Sequence, residues 1–138
     1  MNRYYIDTNI LIFIAMDKYS IHRDVMNIMD RYDTQLYTST VCVQEMIHLY
    51  QIGKLSYKQF KTSADIFTHI EQAGIKIVPV NEKHLKEYAR LPLYDGHSDP
   101  NDRLIIAQAI SDKLPLISSD LKFALYTKNR LLFVRNKR

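Results

Sequence analysis

The sequence predicts an α/β fold: a central, mainly parallel sheet flanked by helices on both faces. Two observations predict it. Segments with strand character alternate almost throughout with segments of helical periodicity, the pattern of strands joined by crossover helices. The segments after Lys76 and Pro115 are continuously apolar, as strands buried on both faces should be. Such crossovers are right-handed. The 138 residues suffice for one domain of ordinary size, and no boundary, repeat or low-complexity tract divides them, so residues 1–138 are read as a single domain.

Tyr4 to Ile6 form the first strand, ended abruptly by Asp7-Thr8-Asn9. Ile10 to Ile14 follow as an apolar, inward-facing helix. Ser20 to Tyr32 reads as a second helix, with Val25, Ile28, Met29 and Tyr32 at helical spacing and Ser20 as its cap. Leu36 to Ser39 is a short strand. Thr38 to Thr40 then offer caps for a helix carrying Val41, Val43, Met46, Ile47 and Tyr50, with Gly53 as its stop. Ser56 to Ala73 is a further helix, with Tyr57, Phe60, Ala64, Phe67 and Ile70 on one face and Gly74 after it. Ile75 to Val80 is a strand with Pro79 near its end. Asn81 caps a helix through Leu91, a loop covers Pro92 to Ser98, and a helix runs from about Asp99 to Ser111. Pro115 to Ser118 is a strand, Asp120 opens a short helix, and Leu131 to Val134 is the last strand.

The totals exclude several classes. With 46% hydrophobic and 25% charged residues the chain is globular. The single Cys42 rules out an internal disulfide and a cysteine-based zinc site, and its apolar neighbours make it a small buried residue. The apolar run from Ile10 to Met16 is too short to span a bilayer, and no secretory leader is visible, so a cytoplasmic protein is expected. No Walker loop or nucleophile elbow is present. The net charge of +4 is compatible with a nucleic-acid partner. Its distribution says more: after Asp120 the chain carries Lys122, Lys128, Arg130, Arg135, Lys137 and Arg138 and no acid. A basic end suits a polyanionic substrate; it is equally the pattern of a solvated terminus.

Acids fall where they can meet. Asp7 follows the first strand, Asp120 the fourth, and Glu45 lies one turn into the helix after the second. In parallel strands the following loops share one edge of the sheet, where ligands of open α/β sheets collect. Asp99 and Asp102 open a helix that follows a loop, so their placement is open. Each acid has a structural alternative. Asp7, Asp99 and Asp120 can each be a helix cap, and Asp102 can support its own first turn. Glu45 can be an ordinary helix-surface acid, but it stands beside the apolar face, where an unpaired carboxylate is costly. Two carboxylates about 5 Å apart repel by roughly 3 kcal/mol at an effective dielectric near 20. A cluster therefore needs a cation, and oxygen ligands suit Mg²⁺ or Mn²⁺. One or two such ions polarise a phosphoryl oxygen and activate water, which points to phosphodiester hydrolysis.

Several stretches together match a known pattern. They are Tyr5-Ile6-Asp7-Thr8-Asn9-Ile10-Leu11, Gln44-Glu45 behind Thr38-Ser39, the run from His97 through Asp99-Pro100-Asn101-Asp102-Arg103-Leu104-Ile105-Ile106-Ala107-Gln108-Ala109, and Leu116-Ile117-Ser118-Ser119-Asp120. They resemble PIN-domain ribonucleases and, more narrowly, the VapC-type toxins of toxin–antitoxin pairs, over nearly the whole chain. The resemblance implies an acidic Mg²⁺ or Mn²⁺ site, cleavage of RNA, a cognate antitoxin and a homodimer. Carried over by position, Asp7, Glu45, Asp102 and Asp120 are the catalytic and metal-binding acids, with Asp99 auxiliary. Thr8, Asn9 and Ser119 are supporting residues that position carboxylates or a bound water. Asn101 stands where many relatives have an aromatic residue.

Other signals are weaker. Glu45 and His48 have a di-metal spacing that occurs once, so His48 is read as a core or rim residue. His22, His69 and His84 have no ligand spacing, and His97 is read as a loop histidine, with assistance near the site as its alternative. Most of the 10 Tyr and 5 Phe fall on helical faces as core. Surplus apolar residues on the two middle helices offer a surface for a second subunit or an antitoxin peptide. Two rivals stay open: an RNA- or protein-binding module with a degenerate metal site, and an aspartyl-phosphate phosphatase. The latter wants a second acid at position 9, which is Asn.

Overall fold

The computed structural model describes residues 2–137. Five parallel strands form one sheet: β1 (Asn2–Ile6), β2 (Thr34–Ser39), β3 (Ile75–Val78), β4 (Leu116–Ser118) and β5 (Phe133–Arg135), in the order β3-β2-β1-β4-β5. The chain starts in the middle, builds β2 and β3 outward on one side, then crosses to build β4 and β5 on the other. The reversal falls between β1 and β4, whose register pairs Tyr5 with Leu116 and Ile6 with Ile117. A crevice opens at such a switch point, outside the carboxyl ends of the strands.

The helices are α1 (Thr8–Met16), α2 (Arg23–Met29), α3 (Thr40–Gln51), α4 (Ala64–Gln72), α5 (Glu82–Arg90) and α6 (Pro100–Asp112). Short 3₁₀ segments cover Lys18–Ser20 and Leu121–Asn129. Caps fix where they begin. The side chains of Asp7, Ser39, Asn81, Asp99 and Asp120 each accept a backbone N–H at the start of α1, α3, α5, α6 and the second 3₁₀ segment. The central strands and helices bury a continuous core that includes Ile6, Ile10, Met46, Ile106, Leu116 and Ile117, all fully inaccessible. Cys42 is buried in it with its thiol toward the Ile6 carbonyl.

The structure departs from the sequence reading in three places. Ser56 to Ser63 is not helical, and the helix begins only at Ala64. The Asp65 carboxylate accepts the Lys61 and Thr62 N–H groups at 2.7 and 3.0 Å, holding the chain in a turn, while Tyr57 and Phe60 stack edge to face at 4.9 Å. Their apolar spacing serves a turn packed on α3 rather than a helix. The helix placed at Ser20 to Tyr32 is shorter, because the His22 ring caps α2 by accepting the Asp24 N–H. The strand after Lys76 is an edge strand, so Ile77 and Val78 are only half-buried; β4 is fully buried as expected. No helix of the described residues is long and apolar enough to cross a membrane.

Candidate metal centre at the sheet switch point

Asp7 follows β1 directly and is 4% exposed. Oδ1 accepts the Thr8 N–H at 2.8 Å, capping α1. Oδ2 accepts the Ser118 hydroxyl at 2.7 Å and the Asn9 amide at 3.1 Å. The capping and site roles of Asp7 are therefore one geometry, with one oxygen serving the helix and the other facing β4. Asn9 completes the clamp, for its Oδ1 accepts the Ser119 N–H at 3.2 Å. The Ser118 Oγ in turn accepts the Asp120 N–H at 3.0 Å.

The remaining acids face this clamp from two helices. Glu45, on the first turns of α3, accepts the Thr8 hydroxyl at 2.9 Å. Asp102 lies in the first turn of α6, where Asp99 Oδ1 accepts the Asn101 and Asp102 N–H groups at 2.8 and 3.1 Å. Pro100 at the first helical position supplies the pre-set backbone angle for that start. One ligand atom each from Asp102, Asp120 and His97 lie within 4.8 Å of one another.

The electrostatics follow from this crowding. Burial pushes the Asp7 carboxyl up to about 7; Asp102 and Glu45 push the same way, while the Ser118 and Thr8 hydrogen bonds oppose them. Burial raises Glu45 too, with Asp102 and Asp99 adding to it and Thr8 opposing. Asp102 is raised by burial, then by Asp99, and also by Asp120, while His97 opposes. Mutual repulsion among carboxylates held this rigidly is relieved by a proton or by a cation. Hard oxygen donors from separate elements, with one imidazole nitrogen at their edge, fit a hexacoordinate divalent ion such as Mg²⁺ or Mn²⁺.

The model of the PIN-domain family matches residues 4–129, most of the chain. The chain belongs to the PIN-domain family. No curated protein matches it in sequence. Solved structures share its fold. VapBC2 from Rickettsia felis, bound to a DNA fragment from their promoter, superposes with a TM-score of 0.68 at 17% identity, covering 98% of this chain and 99% of that one. VapBC-1 from nontypeable Haemophilus influenzae gives 0.67 at 22% identity over 96% and 97%. VapBC-5 from Mycobacterium tuberculosis, of the VapBC family of toxin-antitoxin systems, gives 0.61 at 20% identity over the full length of both chains.

Within this PIN domain the residues picked out by sequence take distinct positions. Asp7, Glu45, Asp102 and Asp120 come to one edge, with Asp99 beside Asp102. Thr8 and Asn9 hold Glu45 and Asp7 respectively. The Ser119 hydroxyl accepts the Asn136 amide at 2.8 Å. Ser118, which sequence reasoning passed over, is the serine bound to Asp7. The parallel register was the signal for it, since it carries Ser118 alongside Asp7 one step past the Ile6–Ile117 pair. His97 is buried, unlike an ordinary loop histidine. The His97 N–H donates to the Tyr94 carbonyl at 3.1 Å across a turn that needs Gly96 at φ 79°, and this turn directs the ring inward. His48 is an exposed rim residue, and Asn101 is exposed with its backbone tied to Asp99. His84 is fully buried against Asp112 at the other end of α6, far along the helix from Asp102.

The basic tail is divided by the fold. Arg135, Lys137 and Lys122 follow the carboxyl ends of β5 and β4 and are exposed at the same edge as the acids. Arg130 precedes β5 and faces the opposite edge, where with Lys83, Lys86, Arg90 and Lys113 it lines a groove of about 570 Å³. Lys128 lies over the Tyr94 ring at 5.3 Å. Arg138 falls outside the described residues.

Proposed function

We propose that this chain is a divalent-metal-dependent endoribonuclease of 138 residues acting as a single domain in the cytoplasm, the toxin of a type II toxin–antitoxin pair. The observation that carries the reading is the meeting of Asp7, Glu45, Asp102 and Asp120, from β1, α3, α6 and the segment after β4, at the crevice where the sheet order reverses. Structural relatives described as toxin–antitoxin complexes support a cognate antitoxin as partner. A homodimer is part of the same reading.

In this proposal Asp7, Glu45, Asp102 and Asp120 hold one or two Mg²⁺ or Mn²⁺ ions, with Asp99 adding negative charge beside Asp102. A divalent ion bound there supplies Lewis acidity at a phosphodiester and lowers the pKa of water. The chain supplies orientation. Ser118 and Asn9 fix Asp7 Oδ2, and Thr8 fixes Glu45, so the carboxylates are set before substrate arrives. Arg135, Lys137 and Lys122 flank the edge and draw the RNA backbone to it. Cleavage of RNA with Mg²⁺, against EDTA and against Asp7→Asn, tests the reading. Cleavage should require both the ion and the acid, and equal activity in all samples would refute it.

An aspartyl-phosphate phosphatase is the less favoured reading. That chemistry wants a second acid at position 9, which is Asn, and the Asn9 amide is spent on the clamp rather than free for acid–base work. A covalent phosphate on Asp7 would revive it. A binding module with a degenerate site predicts no gain in melting temperature with Mg²⁺, whereas a site that binds the ion stabilises the fold by mass action.

A further inference from the structure

We propose that His97 is a direct nitrogen ligand of the divalent ion held by Asp102 and Asp120, and that it makes this centre favour Mn²⁺ over Mg²⁺. The inference rests on the reading above that the acids bind a divalent ion. It starts from an orphaned atom. The His97 side chain is 3% exposed, and its Nε2 is buried with no hydrogen-bond partner. Asp102 Oδ2 lies 3.4 Å from Nε2, too long for an ordinary hydrogen bond.

The other ring nitrogen is held. Nδ1 lies 2.7 Å from the Tyr126 hydroxyl, and Tyr126 is fully buried. Arg103, itself buried and anchored on the Leu91 carbonyl at 3.0 Å, interacts with that same hydroxyl. The Tyr126 oxygen can accept the Nδ1 proton, and that is the tautomer in which Nε2 is free to bind an ion. Nε2 then turns a bare lone pair toward Asp102 and Asp120. A lone pair facing carboxylates in a buried site repels them unless a cation sits between. Ligands about 2.1 Å from one ion lie up to about 4.2 Å apart. The 3.4 Å separation of His97 and Asp102 is already in range, and the whole trio lies within 4.8 Å.

The remaining features are those of a ligating histidine. Such a residue gives its second N–H to a fixed acceptor that sets tautomer and ring plane; here that acceptor is Tyr126. The ring is also wedged edge-on between Tyr126 and Phe123, at centroid distances of 5.3 and 6.1 Å. A buried histidine merely paired with Asp102 would sit at ordinary hydrogen-bond distance, and this contact is longer, at 3.4 Å. Mg²⁺ accepts oxygen ligands and dehydrates reluctantly, whereas imidazole suits transition ions, so a nitrogen in the set shifts preference toward Mn²⁺.

The test is pulsed electron paramagnetic resonance on the full-length protein loaded with substoichiometric Mn²⁺, with Mn²⁺ and Mg²⁺ affinities measured by competition. Wild type should show a ¹⁴N coupling from a directly bound imidazole. His97→Gln should lose the coupling while still binding Mn²⁺, and its Mn²⁺ to Mg²⁺ affinity ratio should fall by about tenfold or more. Tyr126→Phe should weaken Mn²⁺ binding but keep the coupling. If His97→Gln does not fold, ¹⁵N-histidine labelling of the wild type decides, since the coupling must then change to that of ¹⁵N. Mn²⁺ bound without a nitrogen coupling overturns the ligand role of His97 and leaves the acid site standing. Folded protein that binds neither ion overturns the acid-site reading itself.

Discussion

The Ser118 hydroxyl donates to Asp7 Oδ2 at 2.7 Å, tying together the carboxyl ends of two adjacent parallel strands. This bond opposes the burial that raises the Asp7 pKa, a rise to which Asp102 and Glu45 add. Ser118→Ala is expected to leave Asn9 as the remaining side-chain donor to Oδ2. The fold should persist, with a stability loss of about 1 kcal/mol from the missing bond. Divalent-ion affinity should fall roughly 10- to 100-fold, as is usual when a group orienting a ligand is removed. Calorimetric titration with Mn²⁺ checks this. An unchanged affinity would mean that Asp7 needs no help from β4.

Asp7 makes the metal-free protein less stable as pH rises. Its folded-state value of about 7 lies above the ~3.9 of an unfolded chain. Between those values the folded state binds more protons than the unfolded one, so the free energy of unfolding falls with increasing pH. The contribution is full below about pH 4 and is lost once pH passes about 7, an upper bound of roughly 4 kcal/mol at ~1.4 kcal/mol per pH unit. Glu45 and Asp102, also raised by burial, act in the same direction. Urea midpoints in EDTA should therefore drop across this window. Asp7→Asn should flatten the slope, and added Mg²⁺ should restore stability at the upper end, because the ion binds the charged carboxylates.

The acids were legible in sequence because each is also a local structural signal. Asp7, Asp99 and Asp120 cap helices, and a cap at the end of a parallel strand necessarily lies on the ligand-binding edge. Glu45 stood out as a charge beside an apolar face. What sequence patterning missed depends on contacts between distant segments. Ser118 and Ser119 are neighbours of the same type, and only the β1–β4 register puts Ser118 on Asp7 while Ser119 faces Asn136. His97 looked like an ordinary loop residue until the Gly96 turn and Tyr126 placed its ring against Asp102. Ser56 to Ser63 has helical apolar spacing, yet Asp65 takes its backbone N–H groups for a turn, a local competition that periodicity does not weigh.

The divided tail predicts divided effects on RNA. Arg135 and Lys137 lie at the acidic edge, so the double variant Arg135→Glu, Lys137→Glu should weaken RNA binding and lower the salt dependence of affinity, by about 1 in the log–log slope per lost phosphate contact. Lys86→Glu with Arg90→Glu, on the groove at the opposite edge, should leave both nearly unchanged at physiological salt, where exposed charges beyond about 8 Å are screened. Affinity for an uncleaved RNA at several salt concentrations checks this with the Asp7→Asn protein. Equal losses in the two variants would show that the RNA path runs past the opposite edge as well.

The far end of α6 should govern stability without governing chemistry. There Asp112 accepts the Tyr5 hydroxyl at 2.5 Å, and both its oxygens lie 3.0 Å from His84 Nε2. His84 Nδ1 accepts the Asn81 N–H at 3.1 Å, which places its proton on Nε2, facing Asp112. This network joins β1, α5 and α6 at the edge opposite the acids. Asp112→Ala leaves the buried His84 N–H without its acceptor and the Tyr5 hydroxyl with Gln108 alone, a loss of about 2 kcal/mol or more. Asp112→Asn keeps one accepting oxygen and should lose less. In both variants the rate of RNA cleavage per folded molecule, measured well below the melting transition, should match wild type, because no acid of the candidate centre touches the network. A fall in that rate at unchanged folded fraction would mean that α6 transmits strain from Asp112 to Asp102.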